Sequence, residues 1–167
     1  MLFRSAALID RTHRDRLAGL PLTVTLDVAG LGPVLLCHAS PRRDDEMMLV
    51  DSPPQRWAEV LADVGAPTVC CGHTHMPFDR LAAGHRVVNP GSVGMPYGTA
   101  GAAWALLGPD VTLRQTRYDA AAAATVIGAS GYPDGTGWAR DYVTSHYPAD
   151  DALQTFTAIA REQAAER

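Results

Sequence analysis

Apolar and polar residues alternate through residues 22–28, with Leu22, Val24, Leu26 and Val28 against Thr23, Thr25 and Asp27. A period of two predicts a half-buried strand. Gly30, Gly32 and Pro33 form a turn, and Val34-Leu35-Leu36-Cys37 is then apolar throughout. Such a run predicts a strand covered on both faces, paired with the first as a hairpin. Residues 68–71 predict another buried strand, stopped by Gly72, and residues 86–88 a short one, stopped by Asn89-Pro90-Gly91. Residues 102–107 and 111–118 read as a second hairpin around Gly108-Pro109-Asp110. The helical pattern is different. Leu8, Ile9 and Leu17 sit among charged residues in a segment, 7–19, closed by Gly19 and Pro21. Ser52-Pro53-Pro54 predicts a capped helix start, running to about Val64 and ending at Gly65. After Asp119 the strand signals cease. Residues 120–127 and 151–166 read as helices, with a short helix over 138–146 in a Gly-rich connection. The expected organisation is an α/β layered domain over residues 1–118 and a helical extension over 119–167.

The 167 residues carry 14 cations, all Arg, against 18 carboxylates, a net charge of −4. The lack of Lys excludes a phosphate-loop lysine and a Schiff-base lysine. The mild acidity argues against a broad nucleic-acid surface. No stretch has the length of a membrane span, and Met1-Leu2-Phe3-Arg4 lacks the apolar core of a secretion signal. Cys37, Cys70 and Cys71 lie in or beside apolar strands without a disulfide spacing, so reduced thiols and a cytoplasmic location are expected.

Three strand ends carry candidate chemistry. His38 follows the first apolar run. Gly72-His73-Thr74-His75 follows the second, and Gly72 permits a bend that turns both imidazoles to one pocket. Neighbouring strands ending in His38, His73 and His75 would gather metal ligands at one sheet edge. Asn89-Pro90-Gly91-Ser92-Val93-Gly94 follows the third strand and reads equally as a tight turn or as a loop whose amides line a phosphate. A serine nucleophile is excluded, because Pro90 stands where the nucleophile elbow needs Gly. Cys70-Cys71 with the histidines could supply at most one thiol, since adjacent strand residues face opposite ways. Asp44-Asp45-Glu46 reads as a solvated acidic loop, and Asp10-Arg11-Thr12-His13 as a solvated helix face.

The order His38-Ala39-Ser40-Pro41-Arg42, then Gly72-His73-Thr74-His75, then Val88-Asn89-Pro90-Gly91-Ser92-Val93-Gly94 resembles the calcineurin-like metallophosphoesterases, and most of all their small bacterial phosphodiesterase branch. The resemblance spans residues 8–118. It implies part of a two-sheet β-sandwich flanked by helices, with divalent ions (Mn, Zn, Fe or Ni) at one sheet edge. It further implies that His38 and His73 bind one ion and His75 another, with phosphate contacts from Arg42, Asn89, Gly91 and Ser92. The implied reaction is hydrolysis of a small phosphate ester or nucleotide, a metal-bound hydroxide attacking phosphorus in line.

The family's Asp-x-His, Gly-Asp and Gly-Asn-His motifs do not occur here; the nearest candidate, Asp10 to His13, has a spacing of three. No leaving-group acid is therefore carried over. The expectation is a chain equivalent to the C-terminal two-thirds of such an enzyme, weakly active or inactive. A non-catalytic metal- or phosphate-binding module stands as the alternative, and a structural protein as a third. Apolar strands lacking partners would also leave an exposed sheet edge through which the chain self-associates.

Overall fold

The computed structural model describes residues 8–98 and 100–165. Helix α1 (Arg11–Ala18) begins at Asp10, whose carboxylate accepts from the backbone N–H of His13 at 2.8 Å. Asp10 is thus a helix cap rather than part of a helix face. Strands β1 (Thr23–Val28) and β2 (Gly32–Cys37) form the expected hairpin, with Val24 opposite Leu36 and Leu26 opposite Val34. Helix α2 (Pro54–Leu61) follows, then β3 (Thr68–Cys70), β4 (Phe78–Ala82) and β5 (His85–Asn89). These five strands make one sheet in the order β1-β2-β3-β5-β4. The central pairs β2–β3 and β3–β5 are parallel, and the outer pairs antiparallel. Strands β6 (Ala102–Leu107) and β7 (Val111–Thr116) form a separate antiparallel hairpin.

One face of the sheet packs on α2. Val69, Cys71, Phe78 and Val87 meet Trp57, Val60 and Leu61, with Leu35 and Cys37 at the margin. The β6–β7 hairpin is tied to the other face. The Ala103 N–H donates to the Ser92 carbonyl at 2.9 Å, and Arg86 pairs with Asp110 at 2.5 Å. At Gly30, where φ is +86°, a Cβ would fall 2.6 Å from the Pro109 backbone, so only glycine admits this approach. Val34 and Val88 on that face are fully buried.

Beyond β7, helix α3 (Ala120–Gly128), the short α4 (Gly135–Ala139), a wide helical turn (Arg140–Thr144) and α5 (Ala149–Ala165) follow. Helix α5 returns to the sheet end. Ala152, Leu153 and Phe156 pack with Leu49, Met76 and Tyr97, and the Gln163 side chain bridges Met47 and Asp45. None of these helices is long and apolar enough to cross a membrane.

Several expectations change. Strand β1 is not half-buried: Leu22, Val24 and Leu26 are 45%, 44% and 49% exposed. The β6–β7 hairpin does not extend over them. Strand β2 is fully covered only at Val34, and Leu35 to Cys37 are half-buried. Strand β4 was not expected, because Pro77, Asp79 and Arg80 interrupt its pattern. It is a sheet edge, where such residues are tolerated, and Asp79 is held by Arg86 at 2.7 Å. Ser52 does not cap α2. Pro53 holds the cap position, and the Ser52 hydroxyl accepts instead from the Leu49 N–H at 2.9 Å. The expected helix starts and ends at residues 7 and 166 lie outside the described residues.

The acidic loop is the largest correction. Glu46 is 0% exposed. Its carboxylate accepts from Ser40 Oγ at 2.6 Å, from Arg42 at 2.8 and 3.0 Å and from Arg56 at 2.5 Å. Burial alone would raise its pKa, but these donors win and hold it at about 2, against an ordinary 4.5. The contribution to stability is therefore complete above pH 4.5 and fades as pH falls toward 2. Removing the carboxylate takes the buried counter-charge from Arg42 and Arg56, leaving Arg56 only its 3.5 Å contact to Glu59, so Glu46→Ala is expected to cost about 3–5 kcal/mol in urea unfolding. That cost should shrink when the unfolding is repeated at pH 3; an equal cost at both pH values would show that charge plays no part.

Candidate metal centre

The parallel pairing of β2 and β3 runs one step past the strand ends. The Gly72 N–H donates to the His38 carbonyl at 2.7 Å, and the Cys71 N–H donates to the Val88 carbonyl at 2.8 Å. His38 and the Gly72–His75 turn are therefore fixed at the same end of adjacent strands. His73 and His75 both have left-handed backbone, with φ of +66° and +58°. For non-glycine residues this conformation costs roughly 1–2 kcal/mol each. Buried side chains hold it in place. Thr74 is 1% exposed and Asn89 is 0% exposed. The Asn89 amide donates to the Gly72 carbonyl at 2.9 Å and to Thr74 Oγ1 at 3.0 Å, while its carbonyl accepts from the Gly91 N–H at 2.9 Å. One side chain thus clamps the histidine turn to the following loop.

The alternating left-handed residues turn both imidazoles out of the strand. His73 Nδ1 lies 3.2 Å from His38 Nε2, and the rings meet edge to face at 5.0 Å. His75 Nδ1 donates to the Met95 carbonyl at 3.2 Å, which leaves the Nε2 lone pair free, and its ring stacks on Tyr97 at 6.2 Å. Burial, then the neighbouring imidazoles of His38 and His75, lower the pKa of His73. Burial also lowers that of His75, with His38 adding to it. Both rings are thereby kept in the neutral, ligand-competent form.

The pair His38–His73 fits a cation. The 3.2 Å gap matches the separation of about 3.0–3.4 Å between two nitrogens bound at roughly 2.1 Å to one ion. His73 Nε2, on the far side of the ring, is buried without a hydrogen-bond partner among the described residues. The shell is incomplete, however. Among the described residues no three His, Cys, Asp or Glu side chains are grouped closely enough to hold a metal ion, so His75 stands beside the pair rather than in it. The thiols add nothing, because burial pushes Cys37 up to about 12 and raises Cys70 and Cys71 as well.

The expected phosphate residues are placed differently from the histidines. The Arg42 guanidinium is engaged by Glu46 through Nε and Nη2. The polar atoms of Asn89 and the Gly91 N–H are turned inward. Ser92 Oγ accepts from the Met95 N–H at 3.0 Å, so it shapes the loop that receives His75. Sequence reasoning missed this positioning role of Asn89 and Ser92, and also Met95 and Tyr97, which carry no motif. Asn89→Ala would take from the Gly91 N–H and from Thr74 Oγ1 the partner that Asn89 gives them, at about 1–3 kcal/mol per buried group, while the Gly72 carbonyl keeps only the Thr74 N–H. The expected result is a destabilised protein in which zinc affinity falls at least 10-fold although every histidine remains. Unchanged zinc affinity, measured by calorimetry, would refute the clamp.

Residues 9–110 match the family model described as the calcineurin-like phosphoesterase superfamily domain. A hypothetical protein from Pyrococcus horikoshii has a similar fold, with TM-score 0.61 and 22% identity over 81% of this chain and 55% of that one. A metallophosphoesterase from Sphaerobacter thermophilus gives TM-score 0.60 and 22% identity over 80% of this chain and 64% of that one. The chain thus spans less than two thirds of either structure. No curated protein matches it. With the family model covering more than half of its residues, and the five-stranded and two-stranded sheets flanked by helices, the chain belongs to the calcineurin-like phosphoesterase superfamily.

Proposed function

We propose that this chain carries part of a metal-dependent phosphoesterase centre and, by itself, binds a divalent cation weakly and hydrolyses phosphate esters poorly or not at all. The observation that carries the reading is the 3.2 Å contact of His38 and His73 at the ends of adjacent parallel strands. These two residues would hold the ion, with His75 two residues further along the same turn. A divalent cation there supplies Lewis-acid polarisation of a phosphoryl oxygen. The protein's own contribution is positional. Asn89 fixes the turn, the Met95 carbonyl fixes the proton of His75 on Nδ1, and burial favours the neutral form of His73 and His75. Without a carboxylate among these ligands the affinity is expected to be low. A second reading, a cation- or phosphate-binding module without catalysis, is favoured because, among the described residues, no third His, Cys, Asp or Glu is grouped with the pair.

Calorimetric titration with manganese or zinc is expected to show weak binding that His73→Ala lowers at least 10-fold. Turnover of bis(4-nitrophenyl) phosphate should stay near the solution rate, since no leaving-group acid is carried by the site and such help contributes about 100- to 10,000-fold. Binding indifferent to His73→Ala would refute the metal centre. Fast hydrolysis abolished by His75→Ala would refute the weak-activity reading and the non-catalytic one together.

A further inference from the structure

Beyond Met95 and Tyr97, the two residues that contact His75, lies a cavity of about 210 Å³. It is smaller than the roughly 300–1,000 Å³ of sites that enclose a whole drug-sized ligand, so it suits one ring system. Its walls are aromatic: Tyr97, Tyr142, Tyr147 and Phe156. Tyr97 is the pivot, stacked on His75 on one side, edge-on to Phe156 at 5.5 Å and 6.4 Å from Tyr147 on the other. The Gly98 N–H donates to the Tyr147 carbonyl at 3.0 Å, which fastens this loop to the start of α5. Most of the lining comes from residues 142–156, beyond the family-matched segment that ends at 110. The cavity is therefore a feature of this chain's extension, built beside the histidines of the shared domain.

The polar side chains of the cavity are Ser145, Asp151, Thr155 and the phenols of Tyr97, Tyr142 and Tyr147, and none of its lining residues is a cation. The two aliphatic hydroxyl protons are already used. Ser145 Oγ donates to the Arg140 carbonyl at 2.7 Å, and Thr155 Oγ1 donates to the Asp151 carbonyl at 2.9 Å. What Ser145, Thr155 and Asp151 offer a ligand is acceptor capacity, led by the Asp151 carboxylate as the one charged group of the lining, while the phenols can donate or accept. Asp151 lies in the first turn of α5, where an acidic residue suits the helix dipole anyway. The ligand argument rests instead on the conjunction of an aromatic slot and an acceptor rim. A phosphate is disfavoured in such a place. A flat heterocycle with several N–H donors on one edge is favoured, stacking on the tyrosines and donating to the carboxylate.

We propose that this cavity binds the guanine base of a nucleotide whose phosphate ester lies toward His75 and the His38–His73 pair. The phosphate half of this statement rests on the phosphoesterase reading, and the base half does not. Guanine presents N1–H and an exocyclic amine on one edge, a match for one carboxylate, whereas adenine presents only its amine there.

The test is calorimetric or NMR titration of the metal-free full chain with guanosine, adenosine, guanosine 5′-monophosphate and ribose 5-phosphate. Guanosine is expected to bind at least 10-fold more tightly than ribose 5-phosphate and several-fold more tightly than adenosine. Tyr147→Ala and Asp151→Asn, both at exposed positions, should weaken guanosine binding. For Tyr147→Ala the loss expected from one base–aromatic stack is about 5- to 150-fold. Asp151→Asn should also erase the preference over adenosine. Guanosine binding no better than ribose 5-phosphate, or binding untouched by both variants, would overturn the proposal. Equal binding of guanosine and adenosine would overturn the assignment to guanine. Because guanosine has no phosphate and the titration no metal, a failure here is separable from a failure of the metal centre.

Discussion

The buried side chain of Asn89 is the constraint on which the histidine site depends. It stands at the end of β5, next to the central strand β3, and spends its amide and its carbonyl on three groups from two loops. It braces the Gly72–His75 turn, in which two non-glycine residues have positive φ. That backbone in turn is what aims His73 at His38 and His75 at Met95. The parallel order β2-β3-β5 supplies the geometry: three strand ends point the same way, and their three following loops meet. Chemistry at that end comes from loops braced against each other, on a sheet whose other contacts are ordinary apolar packing.

Electrostatics divides the site into two unlike halves. The imidazoles of His73 and His75 are crowded and partly desolvated, which favours their neutral form. A few residues away Glu46 is fully buried and charged, surrounded by Arg42, Arg56 and the Ser40 hydroxyl. Its partners make the charge tolerable, and they also pin the loop that leaves His38 onto α2. Arg42 is thus engaged in holding the frame. On the opposite flank, α5 closes over Met76 and Tyr97 and gives His75 an aromatic neighbour.

The sequence was readable where a local rule coincided with the tertiary outcome. Both hairpins follow from alternation and turn residues, and His38, His73 and His75 stand out because apolar runs stop at them. Reading failed where the outcome depended on distant partners. Glu46 looks solvated beside Asp44 and Asp45, and only the approach of Arg56 from α2 makes its burial tolerable. Strand β4 is carried by its pairing to β5 rather than by its own pattern. The apolar side of β1 predicts a cover, yet Leu22, Val24 and Leu26 remain exposed at the sheet edge. Asn89 was visible as part of a motif, but its role as a clamp requires knowing that Gly72, Thr74 and Gly91 surround it.

The central claim is that His38 and His73 are joint ligands rather than a hydrogen-bonded pair. Crystals grown with zinc and measured at the zinc absorption edge test it directly. The account predicts an anomalous peak within bonding distance of both His38 Nε2 and His73 Nδ1, with the two rings otherwise in place. A peak elsewhere on the protein, or none while the two imidazoles stay in mutual contact, would contradict it.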